Sequence, residues 1–310
     1  MRAESELSQV KRLRQFNTYA RLAAVTVTTI GLVVLVGWLL DVPSLKAGLP
    51  SWTAMMVNTA CTFTVLGMGL WCATFRASLA ASLIRRLGAI LAIMVGGLTL
   101  VEYVMSVDLA IDLLRPFELQ HTQPALFPGR MAPATALCFL LSGFGLLLLE
   151  GRPLLPQIFA SSALFISLMA FVGYLFDVSA LYSVGLYSSM AIHTAIALTL
   201  FNTGLLVIQE RSEFVELLMS DTAGGEVARN LLASIPVIIL SIGGALLVGE
   251  KLGYYDKRFS LALMATLSIA TLVAVILRTA RHLRQLDKSR ERAQAELAAL
   301  NASLELRVYE

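Results

Sequence analysis

Long apolar runs separated by short polar breaks organise this chain. Eight runs, each about 19 to 24 residues long, can cross a hydrocarbon core of about 30 Å as helices. They are Tyr19–Leu40, Trp52–Phe75, Leu87–Val107, Met131–Leu149, Ile158–Phe176, Tyr187–Ile208, Asn230–Val248 and Phe259–Ala280. In lipid every backbone N–H and C=O must be paired inside the segment, and unbroken apolar runs mean helices rather than barrel strands. The pattern predicts an all-α integral membrane protein with eight transmembrane helices. The first run follows a basic polar leader, residues 1–18, and is too long and too late for a cleaved signal peptide.

After the eighth run the pattern changes to a heptad. Leu283, Leu286, Ala293, Leu297, Leu300 and Leu304 occupy a and d positions, with Arg290 the one break, while Glu, Arg and Lys cover the other faces. A single helix would leave this leucine stripe bare, so the stripe predicts a parallel two-stranded coiled coil and hence a homodimer. A helix lying on the membrane surface is the competing reading, and the many acids among the bases weigh against it. Residues 281–310 would project about 45 Å at 1.5 Å per residue. The heptad is cut at residue 310, so the natural chain is expected to be longer.

Within the first six runs the pattern repeats. "MMVNTACTFTVLGMG", "MAPATALCFLLSGFG" and "MAIHTAIALTLFNTG" align without gaps. The shared columns are Met55/Met131/Met190, Thr59/Thr135/Thr194, Ala60/Ala136/Ala195 and Gly69/Gly145/Gly204. The ends of the preceding runs align as "GWLLDVPSL", "EYVMSVDLA" and "GYLFDVSAL", from Gly37, Glu102 and Gly173. The six runs are therefore three tandem two-helix repeats in one orientation. Runs seven and eight form a separate output hairpin. The domains predicted are the leader 1–18, a repeat bundle 19–208, a cytoplasmic loop 209–229, the hairpin 230–280 and the coiled coil 281–310. The loop carries a short amphipathic piece, Phe214–Met219, and a turn or cap at Asp221.

Shared small residues suggest close helix approach, as in other lipid-embedded interfaces. The Met column admits two readings, space filling or three thioethers holding Cu(I). Positions where the copies differ are more informative. One column holds Asn58, Ala134 and His193, another Gly37, Glu102 and Gly173, and a third Gly67, Gly143 and Asn202. Ionisable groups at membrane depth usually face a cavity or a partner. His193, Glu102, Asn58 and Asn202, with Tyr103 and Tyr174, are the candidate sensing or ligand pocket at the outer side of the bundle; snorkelling or one local hydrogen bond are the bland alternatives. The loop from Ser106 to Arg130 either folds over the bundle, with "DLAIDLL" continuing the third helix, or is simply solvated. His121 and His193 together could ligate a metal or haem, but have no fixed spacing. No metal site or cofactor is predicted, with Met55, Met131, Met190, His193 and His121 as the residues to watch if haem or copper binds.

Composition agrees with this picture. Hydrophobic residues make up 57% and charged residues only 15% of the 310, against about a quarter charged in soluble domains. With both termini in the cytoplasm, the outer segments hold only Lys46, Arg115, Arg130, Lys251, Lys257 and Arg258 of the 24 Lys and Arg. The rest, including Lys11, Arg12, Arg14, Arg21, Arg76, Arg85 and Arg86, fall inside, as the positive-inside rule requires. The net charge of +3 is thus a topology signal, and nucleic-acid binding is not indicated. Cys61, Cys72 and Cys138 all lie within apolar runs and read as small packing residues, not as a disulfide framework or thiolate metal site.

Several segments carry a family resemblance. "ELAALNASLELRVYE" resembles the linker that joins a membrane sensor to a PAS or histidine-kinase dimerisation domain. "FPGRMAPATALCFLL", "YSSMAIHTA", "LLMSDTAGGEVARNLL" and "GEKLGYYDKRFSLAL" resemble the N-terminal multi-span sensor module of bacterial sensor histidine kinases, over essentially the whole chain. Ala134 departs from the Asn of the "MAPNTA" form. The resemblance implies a bacterial inner-membrane, multi-pass module that detects a stimulus at its outer side or within the bilayer. It would act through a downstream kinase or PAS domain and a response regulator. Neither phosphoacceptor box, ATP lid nor cyclase signature occurs, so the residues present are expected to carry no enzyme activity. A small-molecule transporter or channel built from two-helix repeats is the alternative.

Overall fold

The computed structural model describes residues 2–49, 52–75, 78–111, 129–151, 154–183, 189–209, 213–220 and 222–309. Among them every regular element is helical: α1 (Arg2–Leu39), α2 (Pro43–Ala47), α3 (Val57–Ala73), α4 (Leu79–Met105), α5 (Pro133–Leu147), α6 (Leu154–Leu175), a 3-10 turn (Ser179–Leu181), α7 (Ile192–Val207), α8 (Glu213–Met219), α9 (Ala223–Lys251) and α10 (Lys257–Tyr309). Five stretches, in α1, α4, α6, α9 and α10, are long and apolar enough to cross a membrane; α3, α5 and α7 are shorter apolar helices.

Two compact units divide the chain, Met1–Glu216 and Leu217–Glu310. In the first, each helix packs on the next in the order α1, α3, α4, α5, α6, α7, and α7 closes the ring on α1. The even members, α3, α5 and α7, also touch one another and form the inner layer. Their side chains supply most of the core, with Phe63, Phe139 and Phe201 fully buried and the Phe63 and Phe139 rings edge to face at 4.9 Å.

The glycine column explains how the ring closes. A Cβ on Gly69 would lie 3.1 Å from Leu146 Cδ2, on Gly145 3.0 Å from Leu205 Cδ2, and on Gly204 3.1 Å from Leu70 Cδ2. Leu70, Leu146 and Leu205 are themselves one column, each following its copy's glycine. Each repeat therefore offers a glycine to the leucine of the next, and the third returns to the first. A small residue is needed because the helices approach within side-chain contact distance. The outer helices use the same device: Gly31 faces the Ala60 carbonyl at 2.7 Å from a built Cβ. Ser167, its counterpart in the third copy, accepts a hydrogen bond from Thr199 at 3.1 Å.

Several boundaries differ from the apolar runs, for local reasons. α3, α5 and α7 start late because the preceding methionine segment is extended, with Met56, Ala132 and Ala191 at the N-cap positions and Pro133 at the first turn of α5, where a missing N–H costs nothing. The leader is part of α1 rather than a separate segment. α4 does not continue through "DLAIDLL": Ser106 is left-handed (φ 54°) and ends it, and Ala110 is left-handed again (φ 60°). The 209–229 loop already contains α8 and the first turns of α9. The N-cap of α9 is Thr222, whose Oγ1 accepts from Gly225 N–H at 3.2 Å; Asp221 lies outside the described residues. α9 and α10 pack as a hairpin, turned at Gly253 (φ 78°) and tied by Tyr255 Oη donating to the Leu246 carbonyl at 2.9 Å.

Candidate functional site

The end of the bundle where the methionines lie is built three times on one plan. Each outer helix ends in an aromatic residue that donates to the carbonyl of its copy's methionine. Trp38 Nε1 reaches Met55 O at 2.8 Å, Tyr103 Oη reaches Met131 O at 2.8 Å and Tyr174 Oη reaches Met190 O at 2.6 Å. Three residues beyond the aromatic, the chain turns through a left-handed residue, Asp41, Ser106 or Asp177. These bonds satisfy carbonyls of an extended segment that has no helix to pair it, which buried backbone requires. Met55, Met131 and Met190 are buried in the core below. The bonded carbonyls give their column a structural role.

Glu102 departs from this plan. In the first and third copies the corresponding glycine is pressed against a leucine: a Cβ on Gly37 would sit 2.6 Å from Leu45 Cβ, and on Gly173 2.7 Å from Leu181 Cβ. Among the described residues the second copy shows no such short helix, and the Glu102 carboxylate is held by two partners. Oε1 accepts from Leu109 N–H at 2.8 Å, and Oε2 pairs with Arg130 Nε at 3.2 Å. Arg130 also donates to Val107 O at 3.1 Å and lies over the Tyr103 ring at 5.2 Å. Glu102 is 0% and Arg130 2% exposed. One buried ion pair thus holds both ends of the Ser106–Arg130 loop.

His193 stands at the seam where the third copy meets the first. Its ring hydrogen-bonds the backbone of Lys46, whose carbonyl also accepts from Met55 N–H at 2.9 Å. Nε2 is buried and has no hydrogen-bond partner among the described residues. Around this seam the Tyr174 ring stacks on Tyr182 (3.9 Å, 11°) and meets Trp52 at 6.4 Å. The Tyr174 hydroxyl also hydrogen-bonds Thr53. Lys46 lies over Trp38 at 4.4 Å and pairs with Asp41.

Deeper in the bundle, Asn202 ties α7 to α5. Its Oδ1 accepts from Ser142 Oγ at 3.0 Å and its Nδ2 donates to Leu198 O at 2.9 Å. Asn58 Oδ1 accepts from Thr59 N–H at 2.7 Å. The opposite end is clamped by arginines: Arg21 donates to Thr74 Oγ1 at 3.1 Å, while Arg85 and Arg86 pair with Glu150 at 2.7 and 3.2 Å. Arg85 is only 3% exposed and also donates to Leu146 O at 2.8 Å. Arg86, then Arg85, hold the Glu150 carboxyl below the usual carboxylate range. Gln209 occupies this place in the third copy.

The six pocket candidates fall at four places in the bundle, Asn58 standing at the start of α3. Glu102 and Tyr103 belong to the second copy's methionine end and Asn202 to the α5–α7 contact. His193 and Tyr174 share the seam between copies three and one. Sequence reasoning missed Arg130 and Arg85, which charge counting placed in loops. The signal for Arg130 was the acid standing in a glycine column. His121 lies outside the described residues, and so do the side chains of Leu286, Leu297, Leu300 and Leu304, all on α10. Cys138 is buried, Cys61 and Cys72 are half-buried, and all three are free.

No family model, curated protein or solved structure matches this chain.

Proposed function

We propose that the chain is the membrane sensory module of a bacterial two-component signalling protein of the histidine-kinase type. Eight helices cross the inner membrane, three of them the short inner ones, with both termini and the arginine end in the cytoplasm. The observation that carries this reading is α10. It runs without a break from Lys257 to Tyr309, from an apolar stretch long enough to span the membrane into the heptads of the tail. A continuous helix transmits rotation or translation along its axis, which biases two states of whatever it is joined to. A homodimer through Leu283, Leu286, Ala293, Leu297, Leu300 and Leu304 covers the leucine stripe. Among the described residues the inner layer of the bundle is packed with Phe63, Phe139, Phe201 and Leu205, which favours the sensory reading over transport.

Cysteine scanning tests it. With Cys61, Cys72 and Cys138 replaced by alanine, single cysteines from 281 to 304 are oxidised in membranes. Dimer bands are expected to peak at 283, 286, 293, 297, 300 and 304. A monomer at every position, or solute flux in liposomes, sinks the proposal.

A further inference from the structure

We infer that the seam between α7 and α1 binds a membrane-soluble aromatic alcohol, a quinol-type head group on an apolar tail, with His193 Nε2 accepting its hydroxyl proton in a hydrogen bond. The argument begins with the tautomer. A carbonyl only accepts, so the ring nitrogen facing the Lys46 backbone carries the proton. The neutral imidazole then leaves a lone pair on Nε2. That atom is buried without a partner among the described residues, and an unmet acceptor at membrane depth is costly. Sibling copies have avoided the need: Ala134 has no polar atom, and Asn58 satisfies itself on Thr59.

The group that meets an unprotonated nitrogen must be a hydrogen-bond donor. A quinone, a phosphate or a carboxylate offers acceptors only and is disfavoured. A metal ion would need further ligands, and no His, Cys, Asp or Glu cluster stands beside His193 among the described residues. The neighbouring surface narrows the class further. Trp52, Tyr174 and Tyr182 already pack ring on ring at this seam, a cluster that a further flat ring can join in stacked or edge-on contact.

The seam is also where such a molecule can enter. Copies one and two, and two and three, are joined by short covalent connections, Thr74–Ser78 and Leu148–Pro153. The third and first meet without one, through Gly204 against Ala20 and Ala23 and through Tyr19 Oη and Thr203 Oγ1 at 2.7 Å. Since Nε2 itself is covered, a ligand reaches it by parting α7 from α1. Binding is thereby coupled to a movement of α7, the helix from which the chain continues to α8 and α9. The site stands on the bundle alone; that its occupancy is the stimulus rests on the sensory reading.

The test uses the whole chain with Trp71→Phe, so that Trp38 and Trp52 report the methionine end. Purified protein in nanodiscs is titrated with decylubiquinol, decylubiquinone and n-decanol, following tryptophan quenching. Decylubiquinol is expected to bind saturably and at least about tenfold more tightly than the other two. His193→Phe is expected to bring it to the level of decylubiquinone while melting like the parent. ¹⁵N spectra of His193 are expected to show an unprotonated Nε2 that shifts on adding quinol. Equal binding of quinol and quinone, equal binding of decanol, an unaffected His193→Phe, or a protonated Nε2 overturns the inference. Quinol binding without dimer bands in the cysteine scan would leave the site standing and remove the sensory reading.

Discussion

Breaking the Glu102–Arg130 pair is the sharpest test of the described bundle. Glu102→Gln keeps an amide oxygen for Leu109 N–H, so it removes the charge alone and takes this carboxylate from the Arg130 guanidinium, 2% exposed. Arg130→Leu does the converse. Removing one member of a buried pair costs about 3–5 kcal/mol, because the remaining charge has been taken out of water uncompensated. The double variant removes both charges of the pair and is expected to lose far less than the sum, giving a coupling energy of about 3 kcal/mol. At about 2–4 °C per kcal/mol for a unit of this size, each single variant should melt about 6–20 °C lower. Cys138, buried in the core, supplies the assay: in a Cys61→Ala/Cys72→Ala background, a thiol-reactive dye reports unfolding. Single variants that melt within about 2 °C of the parent, or an additive cycle, would show that the pair does not hold the loop ends as described.

Other predictions follow from the repeat plan. Gly173→Ala should destabilise more than Gly145→Ala, because its Cβ would meet Leu181 Cβ at 2.7 Å rather than the end of a leucine side chain at 3.0 Å; melting of the two variants checks the order. Trp38→Phe, Tyr103→Phe and Tyr174→Phe should each cost about 1–3 kcal/mol, the loss of one donor to a buried carbonyl, and similar values in denaturation would confirm one shared role. Glu150, its carboxyl held low by Arg86 and Arg85, contributes stability above the ordinary carboxylate range that is lost as pH falls through its depressed value. Melting at pH 7 against pH 4 should show a loss that Glu150→Gln lacks, small and salt-sensitive because the group is half exposed.

Much of the bundle was legible because repetition turns one sequence into three. The gap-free columns from Met55 to Gly204 located the inner helices and marked their glycines as contacts, which the Gly–Leu ring matches. The carbonyl-bound aromatics were harder to read: Trp38, Tyr103 and Tyr174 differ in type, and their role depends on an extended segment that apolar runs do not distinguish from helix. Arg130 and Arg85 look like loop charges in a linear count. Burial depends on which neighbour the ring closure brings, and no local pattern encodes that. Likewise Glu102 and His193 were both visible as departures from the repeat, but only the packing separates a satisfied carboxylate from an unmet imidazole.

The glycine-to-leucine contact has a consequence for how such a chain can arise and vary. Each hairpin presents two different surfaces, and the same surface pair recurs at every junction, so the association is head-to-tail and closes after three. A duplicated hairpin would find its place without any new interface being invented, and the fused chain is a trimer in one polypeptide. Fusion then frees each copy to change alone. Here an acid has entered one helix end and a histidine one seam, neither of which a true homotrimer could carry fewer than three times.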